Sequence, residues 1–363
     1  MTRRPERADR AASHPDGTLR QNIRNEDIKM TMCKILLTRS MLPADLQYIR
    51  AGLDLRIPGR YELIVPPAFD EDTICGLAGE ADVLLGPFVT EKLLQAAPNL
   101  KLIQVPWTGM DTFNFAAVQN SDVPICNTHS NADAVAELAL ALTLDLAKKL
   151  SYHDRKMRRG SWNRDQEPLS LKSVMLRGST VCVLGLGSIG GRIAGLFKAF
   201  GATIYGTSDH RAADDTVDRV FPQAEALAAA AEADIVVCAL PLTPETRGRI
   251  GREFLDALKP GALLVNVSRA AVIEEDALAD ALRSGQIGGF AADVWWNAPK
   301  RGESESWPST HNDFQNMENV VMSPHRAGFI EGSLPHLDGA IENLTALVRG
   351  ETLQNLVDRS KAY

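Results

Sequence analysis

The chain has 363 residues, 45% of them hydrophobic and 23% charged, with 39 basic against 46 acidic side chains and a formal charge of −7. That length suggests two domains with ordinary hydrophobic cores. The composition argues against fibrous, disordered and membrane classes, and an acidic balance carries no electrostatic footprint for nucleic acid.

Residues 1–32 are rich in Arg, Asp and Glu without an apolar period, and read as a disordered N-terminal extension in which Met30 and Met32 are alternative starts. From Cys33, short apolar runs alternate with amphipathic segments: Lys34–Leu37, Ala44–Ala51, Tyr61–Val65, Asp82–Leu85, Thr90–Ala97 and Leu102–Val105. Strands alternating with helices of this length predict βαβ units on a parallel sheet. A long helix is expected from Ala132 to about His153. Its apolar part, Ala134–Ala147, contains Glu137 and Asp145 and falls short of the roughly 18 apolar residues a membrane span requires.

After a polar stretch ending near Gly178, a second series begins at Ser179. Apolar runs at Val181–Leu184, Thr203–Tyr205, Ile235–Leu240, Leu263–Val267, Phe290–Val294 and Val320–Met322 flank helical segments that include Ile189–Phe200 and Glu274–Arg283. Ala224–Ala231 reads as an alanine-rich helical surface. Helical spacing resumes at Ile341–Val348, so the chain is expected to cross back to its first half.

The five cysteines, Cys33, Cys75, Cys126, Cys182 and Cys238, form no close pair, which argues against a disulfide framework and a thiolate metal site and suits a reducing, cytoplasmic setting. His129, His153, His210, His311 and His336 have no metal-ligand spacing, so no metal is expected.

Gly185-Leu-Gly187-Ser188-Ile189-Gly190 is a G-x-G-x-x-G between a strand and a helix. The first glycine permits a tight turn, the second lets backbone approach a pyrophosphate and the third lets helix pack on strand, while the N–H groups that open the helix, those of Ser188 and Ile189, favour phosphate. Ribose discrimination belongs at the end of the next strand, Thr207-Ser208-Asp209-His210-Arg211. Asp209 would repel a 2′-phosphate, which favours NAD, and Arg211 keeps NADP open. The expected fold class is α/β, two doubly wound parallel-sheet domains, with a Rossmann cofactor domain (131–326) inserted into a flavodoxin-like substrate domain (33–130 and 327–363).

Arg269 and His325 each stand just after a predicted strand, so both can face the crevice at the carboxyl edge of the sheet. An Arg can hold a carboxylate bidentately and a His can exchange a proton near neutral pH, which together suit hydride transfer to a 2-oxo acid. Taken alone, Arg269 could pair with Glu274, His325 could be a core histidine, and Asp293 could hold a loop through backbone N–H groups. Trp295 and Trp296 either shape the pocket or pack in the core or a dimer interface.

The fingerprint, then Leu240-Pro-Leu-Thr-Pro-Glu-Thr246, Asn266-Val-Ser-Arg269, Asp293-Val294 and Ser323-Pro-His325, come in an order that resembles the D-isomer-specific 2-hydroxyacid dehydrogenases. The resemblance extends to Trp107-Thr-Gly109-Met-Asp111 and to Asn127–Glu137, with its Val135-Ala-Glu137. It implies that Arg269 binds the substrate carboxylate and carbonyl and that His325 is the acid/base. Backbone N–H groups around Thr108 and Gly109 would hold the carboxylate from the opposite wall, Asp293 would lie near the nicotinamide carboxamide, and Leu240 and Pro241 would line the cofactor. It also implies closure about Asn127–Asn131 and Ser323–Gly328, and a homodimer through the cofactor domain with the helix around Ala134–Leu150 at the contact.

Two departures stand out. Ala298 occupies the place of the carboxylate that in the family hydrogen-bonds the catalytic His, so His325 should protonate less readily unless Glu303, Glu305 or Asp313 folds back to replace it. Ala270 stands where the family usually has Gly. Alternative readings are a formate-, phosphite- or phosphoglycerate-type relative, and an NAD(H)-sensing, corepressor-like binding protein without turnover.

Overall fold

The computed structural model describes residues 32–162, 173–300 and 303–361; the N-terminal extension lies outside the described residues apart from Met32, as does part of the polar stretch before Gly178. Two parallel sheets organise the described residues. The first contains β1 (Cys33–Leu37), β2 (Tyr61–Ile64), β3 (Val83–Leu85), β4 (Leu102–Gln104) and β5 (Ile125–Cys126), in the order β2-β1-β3-β4-β5. The second contains β6 (Thr180–Leu184), β7 (Thr203–Thr207), β8 (Arg219–Phe221), β9 (Ile235–Cys238), β10 (Ala262–Asn266), β11 (Ile287–Ala292) and β12 (Val320–Met322), in the order β12-β11-β10-β9-β6-β7-β8. Central strands such as β3, β9 and β10 are buried at every residue, as parallel strands covered on both faces must be.

In the first half, α1 (Pro43–Arg56), α2 (Glu71–Leu77) and α3 (Glu91–Ala96) cover the sheet; in the second, α6 (Ser188–Ala199), α7 (Ala226–Ala231), α8 (Arg252–Ala257) and α9 (Glu275–Ser284) do so. Each sheet has a core on either face. The connection between the halves carries α4 (Ala132–Lys148) and α5 (Leu150–Met157), and α10 (Pro335–Arg349) returns to pack Leu337, Ala340, Ile341 and Leu344 into the core beside α1. The return is anchored by a buried polar contact in which Asn343 Nδ2 donates to Gln104 Oε1 of β4 (2.9 Å).

The expected single helix from Ala132 to His153 is two helices. Lys149 sits in the left-handed region (φ 55), and the Asp145 carboxylate accepts from the backbone N–H of Ser151 (2.7 Å) and from its hydroxyl. A side-chain acceptor thus satisfies an N–H at the start of the second helix, offsetting roughly 1–2 kcal/mol of backbone strain. The alanine-rich surface is also corrected: Ala226, Ala229 and Ala230 of α7 are buried, because a small side chain every third or fourth residue lets this short helix lie close to its sheet. Among the described residues no helix is long and apolar enough to cross a membrane, and no group of three His, Cys, Asp or Glu could hold a metal ion.

Candidate active site

The carboxyl edges of the two sheets face one cleft of about 520 Å³. Its second-half wall holds Gly187–Gly190 after β6, Leu240 and Pro241 after β9, Arg269 after β10, Asp293 after β11 and His325 after β12; its first-half wall holds Arg39 after β1 and Trp107–Thr112 after β4.

At the fingerprint, Gly185 has φ +92 and its N–H donates to Thr207 Oγ1 of β7 (2.9 Å). A Cβ on Gly190 would lie 1.9 Å from the Gly185 carbonyl oxygen, so only glycine allows α6 to start this close to β6. Among the described residues, the N–H groups of Ser188 and Ile189 donate to no protein acceptor. A tight turn, a close helix start and free N–H groups facing a cleft are what a dinucleotide pyrophosphate needs, so the residues present fit the cofactor. At the end of β7, Ser208 Oγ accepts from the N–H groups of His210 and Arg211, Asp209 Oδ1 accepts from Gln223 N (2.8 Å), and Arg211 pairs with Asp214 (2.6 Å).

Arg269 does not pair with Glu274. Its Nε donates to Asp111 Oδ1 across the cleft (2.9 Å) and its Nη1 to the Ser268 carbonyl (2.9 Å), while Nη2 abuts Gly109. Two of the three guanidinium nitrogens are thereby fixed, and Nη2 has no protein acceptor among the described residues. Opposite it, the N–H groups of Thr108 and Gly109 are also unpaired there, and the loop is held by Thr108 Oγ1 to the Thr128 carbonyl (2.8 Å) and by Asn127 Nδ2 to the Thr108 carbonyl (2.8 Å).

His325 is set by a left-handed backbone (φ 54) and opens to the cleft. The cleft walls desolvate its ring and hold its pKa below the usual imidazole value; Arg269 pushes the same way, and Asp293 and Asp111 oppose. None of the suggested substitutes for the absent carboxylate reaches it. Glu303 accepts from the Lys300 N–H, Asp313 from Gln315 and Asn316, and Glu305 is exposed, so each is committed to its own loop or to solvent.

Asp293 is 2% exposed and holds the loop that carries His325: Oδ1 accepts from Ser323 Oγ and Arg326 N, and Oδ2 from Ala327 N (3.0 Å). Trp295 and Trp296 pack with Phe290 and Phe314 in the core and spend their indole N–H groups on the carbonyls of Ser323 and Ile273.

Three cleft residues were given no individual role from the sequence. Asp111 anchors Arg269, Arg39 stacks on Trp107 (4.9 Å), and His129 Nδ1 bonds Ser188 Oγ (2.9 Å) while its buried Nε2 has no partner among the described residues. Burial, with Arg192, lowers the His129 pKa. Arg39 stands two residues past β1, so the rule that located Arg269 and His325 also reaches it.

Residues 140–327 match the family model described as "D-isomer specific 2-hydroxyacid dehydrogenase, NAD binding domain". The chain is 32% identical over 337 residues to a glyoxylate reductase of Aeropyrum pernix, covering 90% of this chain and 96% of that one. It is 30% identical over 287 residues to a D-3-phosphoglycerate dehydrogenase of Methanocaldococcus jannaschii, covering 77% of this chain and 52% of the relative. A solved D-isomer specific 2-hydroxyacid dehydrogenase from Xanthobacter autotrophicus, in complex with NADPH and MES, matches with a TM-score of 0.72 at 27% identity, over 92% of this chain and 100% of that one.

Proposed function

Because the chain belongs to the D-isomer-specific 2-hydroxyacid dehydrogenases, which are NAD(P)-dependent oxidoreductases, we propose that it interconverts a 2-oxo acid and a D-2-hydroxy acid with Arg269 and His325 as its catalytic residues. The observation that carries this reading is convergence: Arg269, His325 and the Thr108–Gly109 loop meet in one cleft that Gly187–Gly190 of the fingerprint turn also line.

When bound, NAD(P)H supplies the hydride to the 2-oxo carbon. Arg269, fixed through Nε and Nη1, offers Nη2 to the substrate, and the free N–H groups of Thr108 and Gly109 complete a carboxylate cradle from the other wall. The guanidinium also stabilises charge growing on the carbonyl oxygen. His325 gives that oxygen a proton during reduction and takes the hydroxyl proton during oxidation. The Ser188 and Ile189 N–H groups would hold the pyrophosphate, Leu240 and Pro241 would pack against the cofactor, and Asp293, which holds the His325 loop, would lie near the nicotinamide end.

In this reading the seven-stranded half, 131–326, is the cofactor domain and 33–130 with 327–363 the substrate domain, closing about Asn127–Asn131 and Ser323–Gly328. Asp209 at the end of β7 supports NAD over NADP, with Ser208 beside it. The partly buried Leu138, Leu140 and Leu144 on α4, which the core does not fully cover, support a homodimer through that helix. The test is NADH and NADPH oxidation with glyoxylate, hydroxypyruvate, phenylpyruvate and branched 2-oxo acids. Turnover of at least one, forming the D-hydroxy acid, is expected; tight NADH binding with silence across the panel overturns the reading.

A further inference from the structure

We infer that Arg39 is a second anion-binding residue of the cleft, so that the preferred substrate is a 2-oxo acid with another anionic group, carboxylate or phosphate, at the far end of its chain. The inference rests on the 2-oxo acid reading of this same site.

In the order β2-β1-β3-β4-β5, the chain leaves β1 toward one edge of the sheet and continues from β3 toward the other. The carboxyl ends of β1 and β3 therefore flank the topological switch point, where open α/β sheets form their ligand crevice. The two loops at this point are drawn together. Thr38 N donates to the Leu85 carbonyl (3.0 Å), and Gly86 has φ +138, with any Cβ falling 2.6 Å from Thr38 Oγ1 and 3.3 Å from Arg39 N. Gly86, having no side chain, lets the loop after β3 lie against Thr38 and the Arg39 backbone, and Arg39 lines the cleft.

The guanidinium carbon of Arg39 lies 4.9 Å from the Trp107 ring centroid, and both residues line the cleft with Gly109, Arg269 and His325. Stacking on an aromatic ring steadies a guanidinium and leaves its N–H donors available for a planar or tetrahedral oxyanion. Arg269 is paired with Asp111, whereas Arg39 has no carboxylate in ion-pair reach among the described residues. A substrate with one carboxylate engages Arg269 and the Gly109 loop and leaves Arg39 without a counter-charge; a second anion supplies it.

The experiment compares matched substrates with the full chain and NADH or NADPH: 2-oxoglutarate against 2-oxopentanoate, and 3-phosphohydroxypyruvate against hydroxypyruvate, in the parent protein, Arg39→Gln and Arg39→Lys. At least one member with the second anionic group is expected to be preferred in kcat/KM by roughly 10–100-fold, the range of a charge-assisted hydrogen bond to an ion. The pair that shows the preference separates carboxylate from phosphate. Arg39→Gln should collapse that ratio, chiefly through KM, and Arg39→Lys should restore part of it. A parent protein that turns over the singly charged members with no preference for the doubly anionic ones, or an unchanged ratio in Arg39→Gln, overturns this inference while the 2-oxo acid reading stands; no turnover of any of the four overturns this inference, and silence across the wider 2-oxo acid panel overturns that reading as well.

Discussion

Replacing Gly109 with Ala is expected to preserve the fold and remove most of the activity. The new Cβ would lie 1.7 Å from Arg269 Nη2 and 2.8 Å from both Arg269 Cζ and Asp111 Oδ1. Gly109 does not have a left-handed backbone, so alanine adds no backbone strain. Non-bonded heavy atoms settle near 3.5 Å, so the guanidinium must retreat by about 1.5–2 Å. The group displaced is the end of a long side chain whose ion pair with Asp111 is partly exposed, so stability should fall by no more than about 1 kcal/mol. Catalysis tolerates far less: a displacement of about 1 Å can cost roughly 100-fold, equivalent to about 2.7 kcal/mol of transition-state stabilisation. The assay is kcat/KM for NAD(P)H oxidation with the best 2-oxo acid, beside thermal unfolding and NAD(P)H titration. An Ala variant with unchanged melting temperature and kcat/KM within about threefold of the parent would refute the placement of Arg269 against this loop.

The pH dependence follows from His325, whose pKa lies below the ordinary 6.5. In the proposed reaction reduction uses the protonated ring, so its kcat/KM should fall as pH rises through that lowered value; a basic limb above neutrality would contradict the assignment. Because Asp111 pushes the His325 pKa up, Asp111→Asn should move the limb to still lower pH. Asp293→Asn removes one acceptor oxygen from the buried grip on Ser323, Arg326 and Ala327, and should cost about 1–3 kcal/mol in urea unfolding; a loss under about 0.5 kcal/mol would mean the loop is held otherwise. Gly190→Ala puts a Cβ 1.9 Å from a backbone oxygen that cannot step aside, so NAD(P)H affinity measured by fluorescence titration should fall by about tenfold or more, and parent-like binding would refute the close approach of α6 to β6.

Legibility in the sequence followed burial. Strands such as Val181–Leu184 and Leu263–Val267 were readable because central parallel strands form nearly continuous apolar runs, and their observed bounds differ by a residue at the ends. Two strands had no such signal: Ile125–Cys126 is only two residues, and Arg219–Phe221 lies at the sheet edge with Arg219 exposed. The helix break at Lys149 depends on a hydrogen bond from Ser151 to Asp145, which no periodicity reports. At the site, the fingerprint glycines were legible because steric necessity leaves only one residue type. Arg269 and His325 were legible through their places after strands. Asp111 was not, because its partner lies 158 residues away on the opposite wall. His129 was not, because its role depends on a neighbour, Ser188, contributed by the other half of the chain.

If Arg269 and His325 perform the reduction on an already bound cofactor, kcat/KM for the best 2-oxo acid, measured together with NAD(P)H affinity in Arg269→Ala and His325→Gln, separates catalysis from binding. Losses of about 100-fold or more in kcat/KM are expected for both, with cofactor affinity within about threefold of the parent. Near-parent turnover in either variant, or a loss confined to cofactor affinity, would rule out those roles.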